Sequence, residues 1–65
     1  MQIYLNGQAQ ETQCLNLFQL ICSLNLEGKR FAVECNEMIV AKSKLEVTPI
    51  CANDRIEIIQ AVGGG

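Results

Sequence analysis

Apolar residues recur along this chain at two different periods. From Met1 to Leu5 they alternate, with Met1, Ile3 and Leu5 on one side and Gln2 and Tyr4 on the other, which predicts a half-buried strand. Asn6-Gly7 follows, a strong hairpin signal because both central positions of the tightest turn favour positive φ. Gln8 to Thr12 is then the return strand, polar enough for a sheet edge. At Asn16 the period changes. Leu17, Leu20, Ile21 and Leu24 fall at i, i+3, i+4 and i+7, one aliphatic stripe on a helix from Asn16 to Leu24. Asn16 is placed to cap the first turn, with Gln19 reaching back to it, and Gly28 supplies the stop. Phe18 sits at the margin of the stripe and Cys22 points away from it.

Alternation then returns. Phe31, Val33 and Cys35 alternate with Ala32 and Glu34, Asn36-Glu37 makes a turn, and Met38-Ile39-Val40 is a short strand. Ala41 to Thr48 is mixed and charged, a loop that accommodates one helical turn, and Pro49 bars any longer helix. Ile50 is expected in the core, and Asn53-Asp54 is a turn signal. From Arg55 to Val62 the last strand sends Ile56 and Ile58 to the core and Ile59 and Ala61 to the opposite face. A single helix has to cover one face of a single sheet, because nothing else buries its stripe. The fold class is therefore α+β. The first and last strands, the most apolar, are expected side by side and parallel at the sheet centre, joined by a long connection that includes the helix.

Composition narrows the function. Sixty-five residues make one domain, and a chain of that size buries only about 60% of its unfolded surface. A deep catalytic cleft is hard to build from so small a core, so the chain reads as a module that binds or is acted upon, with no catalytic residue and no bound cofactor. A net charge of −2 provides no basic field for nucleic acid or an anionic membrane. There is no histidine, and Cys14, Cys22, Cys35 and Cys51 show no close Cys-x-x-Cys spacing, which argues against a metal site. The first residues lack the features of a signal peptide, and no apolar run approaches membrane-spanning length. The expectation is a cytoplasmic protein with four reduced thiols.

The remaining feature is Ala61-Val62-Gly63-Gly64-Gly65, an apolar strand end running into three glycines. Glycine loses the most backbone entropy on ordering and has no side chain to pack. Residues 1–62 are expected to form the folded domain and residues 63–65 a flexible tail. Such a tail is slim enough to thread a narrow channel, and it carries the α-carboxylate of Gly65 at its tip. Tyr4, Ile59 and Ala61, on the sheet face away from the helix, are the candidate partner-binding surface.

With these elements in order, the chain resembles the ubiquitin-like β-grasp proteins: a mixed β-sheet packed on one main helix. More narrowly, it resembles the bacterial sulfur-carrier family of thiamine thiazole synthesis, the ThiS family. The resemblance spans the whole chain. It rests on Met1-Gln2-Ile3 with Asn6-Gly7, the Asn16 to Leu24 helix, Asn36 ahead of Met38-Ile39-Val40, Asp54-Arg55-Ile56-Glu57-Ile58, and Ala61 to Gly65. The turn before Asp54 often carries glycine in that family; here it is Asn53, which tolerates left-handed geometry. The resemblance implies a carrier acted on by partners. An E1-like adenylating enzyme of the ThiF type uses ATP to activate the Gly65 carboxylate, a sulfur donor protein converts it to a thiocarboxylate, and a thiazole synthase of the ThiG type accepts the sulfur. Gly63 and Gly64 let the tail enter both partner active sites. Three rivals remain open at this point: the small subunit of molybdopterin synthase, a ubiquitin-like protein modifier, and a plain β-grasp interaction module.

Overall fold

Asparagines in left-handed backbone close both hairpins. The computed structural model describes residues 1–61; Val62, Gly63, Gly64 and Gly65, and with them the expected domain boundary and tail, lie outside the described residues. Asn6 (φ 51°) and Gly7 (φ 83°) join β1 (Gln2–Leu5) to β2 (Gln8–Glu11), with Leu5 opposite Gln8. Asn36 (φ 52°) and Glu37 (φ 70°) join β3 (Phe31–Cys35) to β4 (Met38–Val40) in the same way. Two positive-φ residues in sequence give the turn whose twist matches antiparallel strands. The last strand, β5 (Arg55–Gln60), enters from Asn53, also left-handed at φ 68°.

The five strands are ordered β2-β1-β5-β3-β4, with β1 and β5 parallel and the other pairs antiparallel. The polar strand Gln8–Glu11 lies at the edge, where unpaired backbone meets water. The parallel pair is short, Tyr4 opposite Arg55 and Leu5 opposite Ile56. It is prolonged by a side chain: Ile58 N–H donates to Asn6 Oδ1 at 2.8 Å, where a further β1 carbonyl would otherwise stand.

The helix α1 (Leu17–Ser23) buries Leu17, Leu20 and Ile21 against one sheet face, with Phe18 and Leu24 partly buried at the margin. Asn16 Oδ1 caps Gln19 N–H at 2.8 Å. The return bond differs from the capping box expected: Gln19 Oε1 accepts from Leu15 N–H at 2.7 Å, one residue beyond Asn16. The stop differs as well. Asn25 takes the left-handed conformation at φ 60°, its N–H donates to Cys22 O at 3.0 Å, and Leu26 N–H donates to Ile21 O at 3.1 Å. That is the paired 5→2 and 6→1 bonding of a Schellman stop. Gly28 shapes a later bend at φ 81° and does not end the helix. The Schellman geometry swings Leu26 back into the core beside Ile21.

A 3-10 helix, Lys42–Val47, replaces the single helical turn expected there; it is six residues long and plants Leu45 in the core. Ile3, Leu17, Leu20, Ile21, Val33, Leu45, Ile50 and Ile56 are buried around the centre, with Leu5, Phe31 and Ile58 packed against them. No helix among the described residues is long and apolar enough to cross a membrane.

Candidate functional site

The sheet has one covered and one open face, assigned by strand alternation. Ile3, Val33 and Ile56 point to the helix; Tyr4, Ala32, Glu34, Arg55, Glu57 and Ile59 point away. Ile59, on the open face, is 61% exposed and lies opposite Ala32. Ala61 is exposed too, one residue past the end of β5, yet its N–H still donates to Arg30 O at 3.1 Å. The strand thus stops at Gln60, short of the Val62 expected, while one further backbone bond fixes the chain at Ala61.

The three residues of the candidate partner surface share this face but not one patch. Tyr4 pairs with Arg55, four residues before Ile59 on β5, which puts Tyr4 and Ile59 roughly 13 Å apart at about 3.3 Å per residue. Tyr4 belongs to a shallow depression beside the first turn, lined by Asn6, Gly7, Arg55, Ile56 and Glu57, and its hydroxyl accepts from Gln2 Nε2 at 3.1 Å. Ile59 instead groups with Ala61, two residues on, and with Ala32 directly across the ladder, a residue absent from the surface expected from the sequence. Ile39 is opposite Glu34, and Glu34 is opposite Glu57. Like charges directly across a ladder repel, so an acidic band separates the two apolar groups. Ile39, 81% exposed, lies at the outer end of that band and apart from Ile59.

The four cysteines are free. Burial, and after it the neighbouring Asp54 carboxylate, pushes the Cys35 thiol above its ordinary pKa. Asp54 is the hub of the turn before β5: Oδ1 accepts from Asn36 Nδ2 at 3.0 Å, and Oδ2 from Cys51 N–H at 2.8 Å and from Cys35 Sγ at 3.8 Å. Cys22 is raised as well, chiefly by burial and then by Glu27. Among the described residues no group of three or more His, Cys, Asp or Glu side chains lies close enough to hold a metal ion. The open face therefore offers contact chemistry, with the expected site of covalent chemistry, Gly65, and its neighbours Gly63 and Gly64 outside the described residues.

Comparison with known proteins places this arrangement in a family. The fold is that of a crystal structure of the thiamine biosynthesis protein ThiS from Geobacter metallireducens, with a TM-score of 0.83 at 23% identity over the full length of both chains. In sequence the chain is 41% identical to the sulfur carrier protein ThiS of Bacillus subtilis over 46 residues, covering 71% of this chain and 70% of that one. It is also 35% identical over 63 residues to an uncharacterised protein, ycf40, of Trieres chinensis, covering 95% of this chain and 86% of the other. The model of the ThiS family matches residues 3–65, glycines included, and the chain is a member of the ThiS family with a ubiquitin-like β-grasp fold.

Proposed function

We propose that this protein is a sulfur carrier for thiazole formation in thiamine biosynthesis, that it works in the cytoplasm, and that it is a co-substrate rather than an enzyme. The observation that supports this most is the family match running through residue 65, since a carrier needs its terminal glycines as well as its body. The chemistry is required because a carboxylate is a poor electrophile: its charge repels nucleophiles and its leaving group is oxide. An E1-like enzyme of the ThiF type transfers AMP from ATP to the Gly65 carboxylate, releasing pyrophosphate. Sulfide-level sulfur supplied by a sulfur donor protein then attacks the acyl carbon, forming the C–S bond as the C–O bond to AMP breaks, and leaves a thiocarboxylate, the nucleophile that delivers sulfur to a ThiG-type thiazole synthase. The nucleotide is bound by the activating enzyme, and the carrier holds no cofactor. Ile59 and Ala61, with Ala32 beside them, supply the apolar contact next to the tail, and Tyr4 makes a separate contact at the first turn.

The test is ATP–pyrophosphate exchange with the ThiF-type enzyme. Deleting Gly65 leaves an equivalent carboxylate on Gly64 but about 3.5 Å short, and misplacing a reacting group by 1 Å costs on the order of a hundredfold in rate. Gly64→Val adds a branched side chain to the slim segment. Both variants are expected to unfold like the parent and to lose exchange. Full exchange in both refutes the carrier reading. Intact mass after incubation with the donor separates the rivals: one oxygen-to-sulfur exchange marks a carrier, and a ladder of protein adducts marks a modifier.

A further inference from the structure

The small net charge conceals a separation of charge along β5. Lys29, Arg30, Lys42 and Lys44 are four of the five basic residues in the chain. Lys29 and Arg30 lie just ahead of β3, and Lys42 and Lys44 lie on the 3-10 helix. Lys29, Arg30 and Lys42 meet where β5 ends: Arg30 O accepts from Ala61 N–H at 3.1 Å, Phe31 pairs with Gln60, and Lys42 Nζ sits 4.5 Å from the centre of the Phe31 ring. Lys42 Nζ also donates to Lys29 O at 3.2 Å, which ties the two segments together. All four are exposed, and among the described residues none lies within ion-pair distance of a carboxylate; the ion pair present joins the Met1 amine to Glu11 on the far edge strand. Glu27 and Glu46 lie near and offset only part of this charge. At the start of β5 the balance is reversed, with Glu37 and Asp54 at neighbouring turns and the Glu34–Glu57 pair next along the sheet, four carboxylates offset only in part by Arg55. The two poles are separated by the length of a six-residue strand, roughly 20 Å.

We propose that this basic pole is a docking collar for an acidic protein surface, the rim of the channel that receives residues 62–65; the inference rests on the carrier reading above. The arrangement fits a spread of carboxylates better than one small anion. Lys29, Arg30 and Lys42 stand on two segments around the end of β5 and line one cavity of about 320 Å³ whose other walls include Glu27 and the apolar Phe18, Ile21, Phe31 and Leu45, a poor cup for a small anion. The Lys42 ammonium is already engaged by a ring and a carbonyl. Charge placed at the point where the chain leaves the body orients the encounter so that the tail leads, and oriented charge acts mainly on the association rate.

The test compares two variants of equal net charge. Lys29→Gln/Arg30→Gln removes two positive charges from the collar; Gln8→Glu/Gln10→Glu adds two negative charges on the exposed edge strand. Both should melt like the parent, since all four positions are exposed. Stopped-flow association with the ThiF-type enzyme at low salt is expected to slow about tenfold for the collar variant and little for the edge variant. The difference should vanish near 1 M salt, where the screening length is about 3 Å. Equal rates for the two variants overturn the collar while the carrier reading stands. A parent protein that supports no exchange overturns both. If the collar variant instead loses binding of inorganic tripolyphosphate with its enzyme association intact, the pole is a phosphate site and the proposal fails.

Discussion

Replacing Ile59 by Asp tests whether the open face is a contact surface or a tolerated exposure. Fully burying an isoleucine side chain stabilises by about 1.5–3 kcal/mol. Ile59 is 61% exposed, so the fold already uses about two-fifths of that, roughly 0.6–1.2 kcal/mol, and about 1–2 kcal/mol is left for a partner that covers the rest. At 1.4 kcal/mol per decade, the unused part corresponds to about 5–30-fold in Kd. Aspartate also forces a carboxylate into the contact, and burying an unpaired charge is costly. The new charge lies two residues from Glu57, itself opposite Glu34, so some repulsion is added within the free protein. The expected stability loss is about 1 kcal/mol, which for a domain this small lowers Tm by roughly 4–8 °C. Calorimetric titration into the ThiF-type enzyme should show Kd weakened at least tenfold, with Ile59→Ala falling between the two. A Kd within twofold of the parent refutes the contact. A variant that fails to fold shows instead that this face is core.

Other positions test the body. Leu20, 1% exposed under the sheet, should cost about 2–5 kcal/mol as Leu20→Ala. A domain of this size holds only about 3–5 kcal/mol in all, so near-parent unfolding in urea disproves the packing. Asn25→Ala should destabilise by about 1 kcal/mol because φ 60° at Asn25 strains a Cβ, whereas Asn25→Gly should be neutral or better; equal effects in denaturant titration contradict the Schellman stop. The raised Cys35 thiol keeps its proton in the folded state at pH values where the unfolded chain has lost it. Stability is therefore full below the ordinary thiol pKa and declines as pH rises above about 8.5. Cys35→Ala should flatten that decline in a Tm-against-pH series.

Local chemistry made most of the fold legible. Asn6-Gly7 and Asn36-Glu37 each fix a hairpin with two residues, and the Leu17, Leu20, Ile21 stripe fixes which face of α1 is buried. What escaped depends on partners distant in sequence or on bonds that no residue pattern marks. Leu26 has no place in the helical period and reaches the core only because Asn25 turns left-handed. The six-residue extent of the 3-10 helix, beyond the single turn expected, escaped because a single buried residue, Leu45, supports it, too few to make a period. The division of the open face also escaped. Strand alternation places Tyr4 and Ile59 on one side of the sheet, but only the parallel register of Tyr4 with Arg55 puts them at opposite ends of β5.

That register also explains why the body is built as it is. β1 pairs with β5 at its start and leaves off at Asn6, whose side chain serves Ile58. Beyond that point β5 is held by β3 through Gln60 and then by Arg30 at Ala61. The last strand is thus clamped on both sides where it enters the core and on one side where it leaves. The residues that follow start from a fixed root, and four more residues reach at most about 13–14 Å from it. On the reading proposed above, in which Gly65 carries the reacting group, so short a reach requires the body to bring Ala61 to the mouth of the partner's channel. The exposed Ile59 beside that root and the cations around it are the features of the described surface that serve this positioning on the same reading.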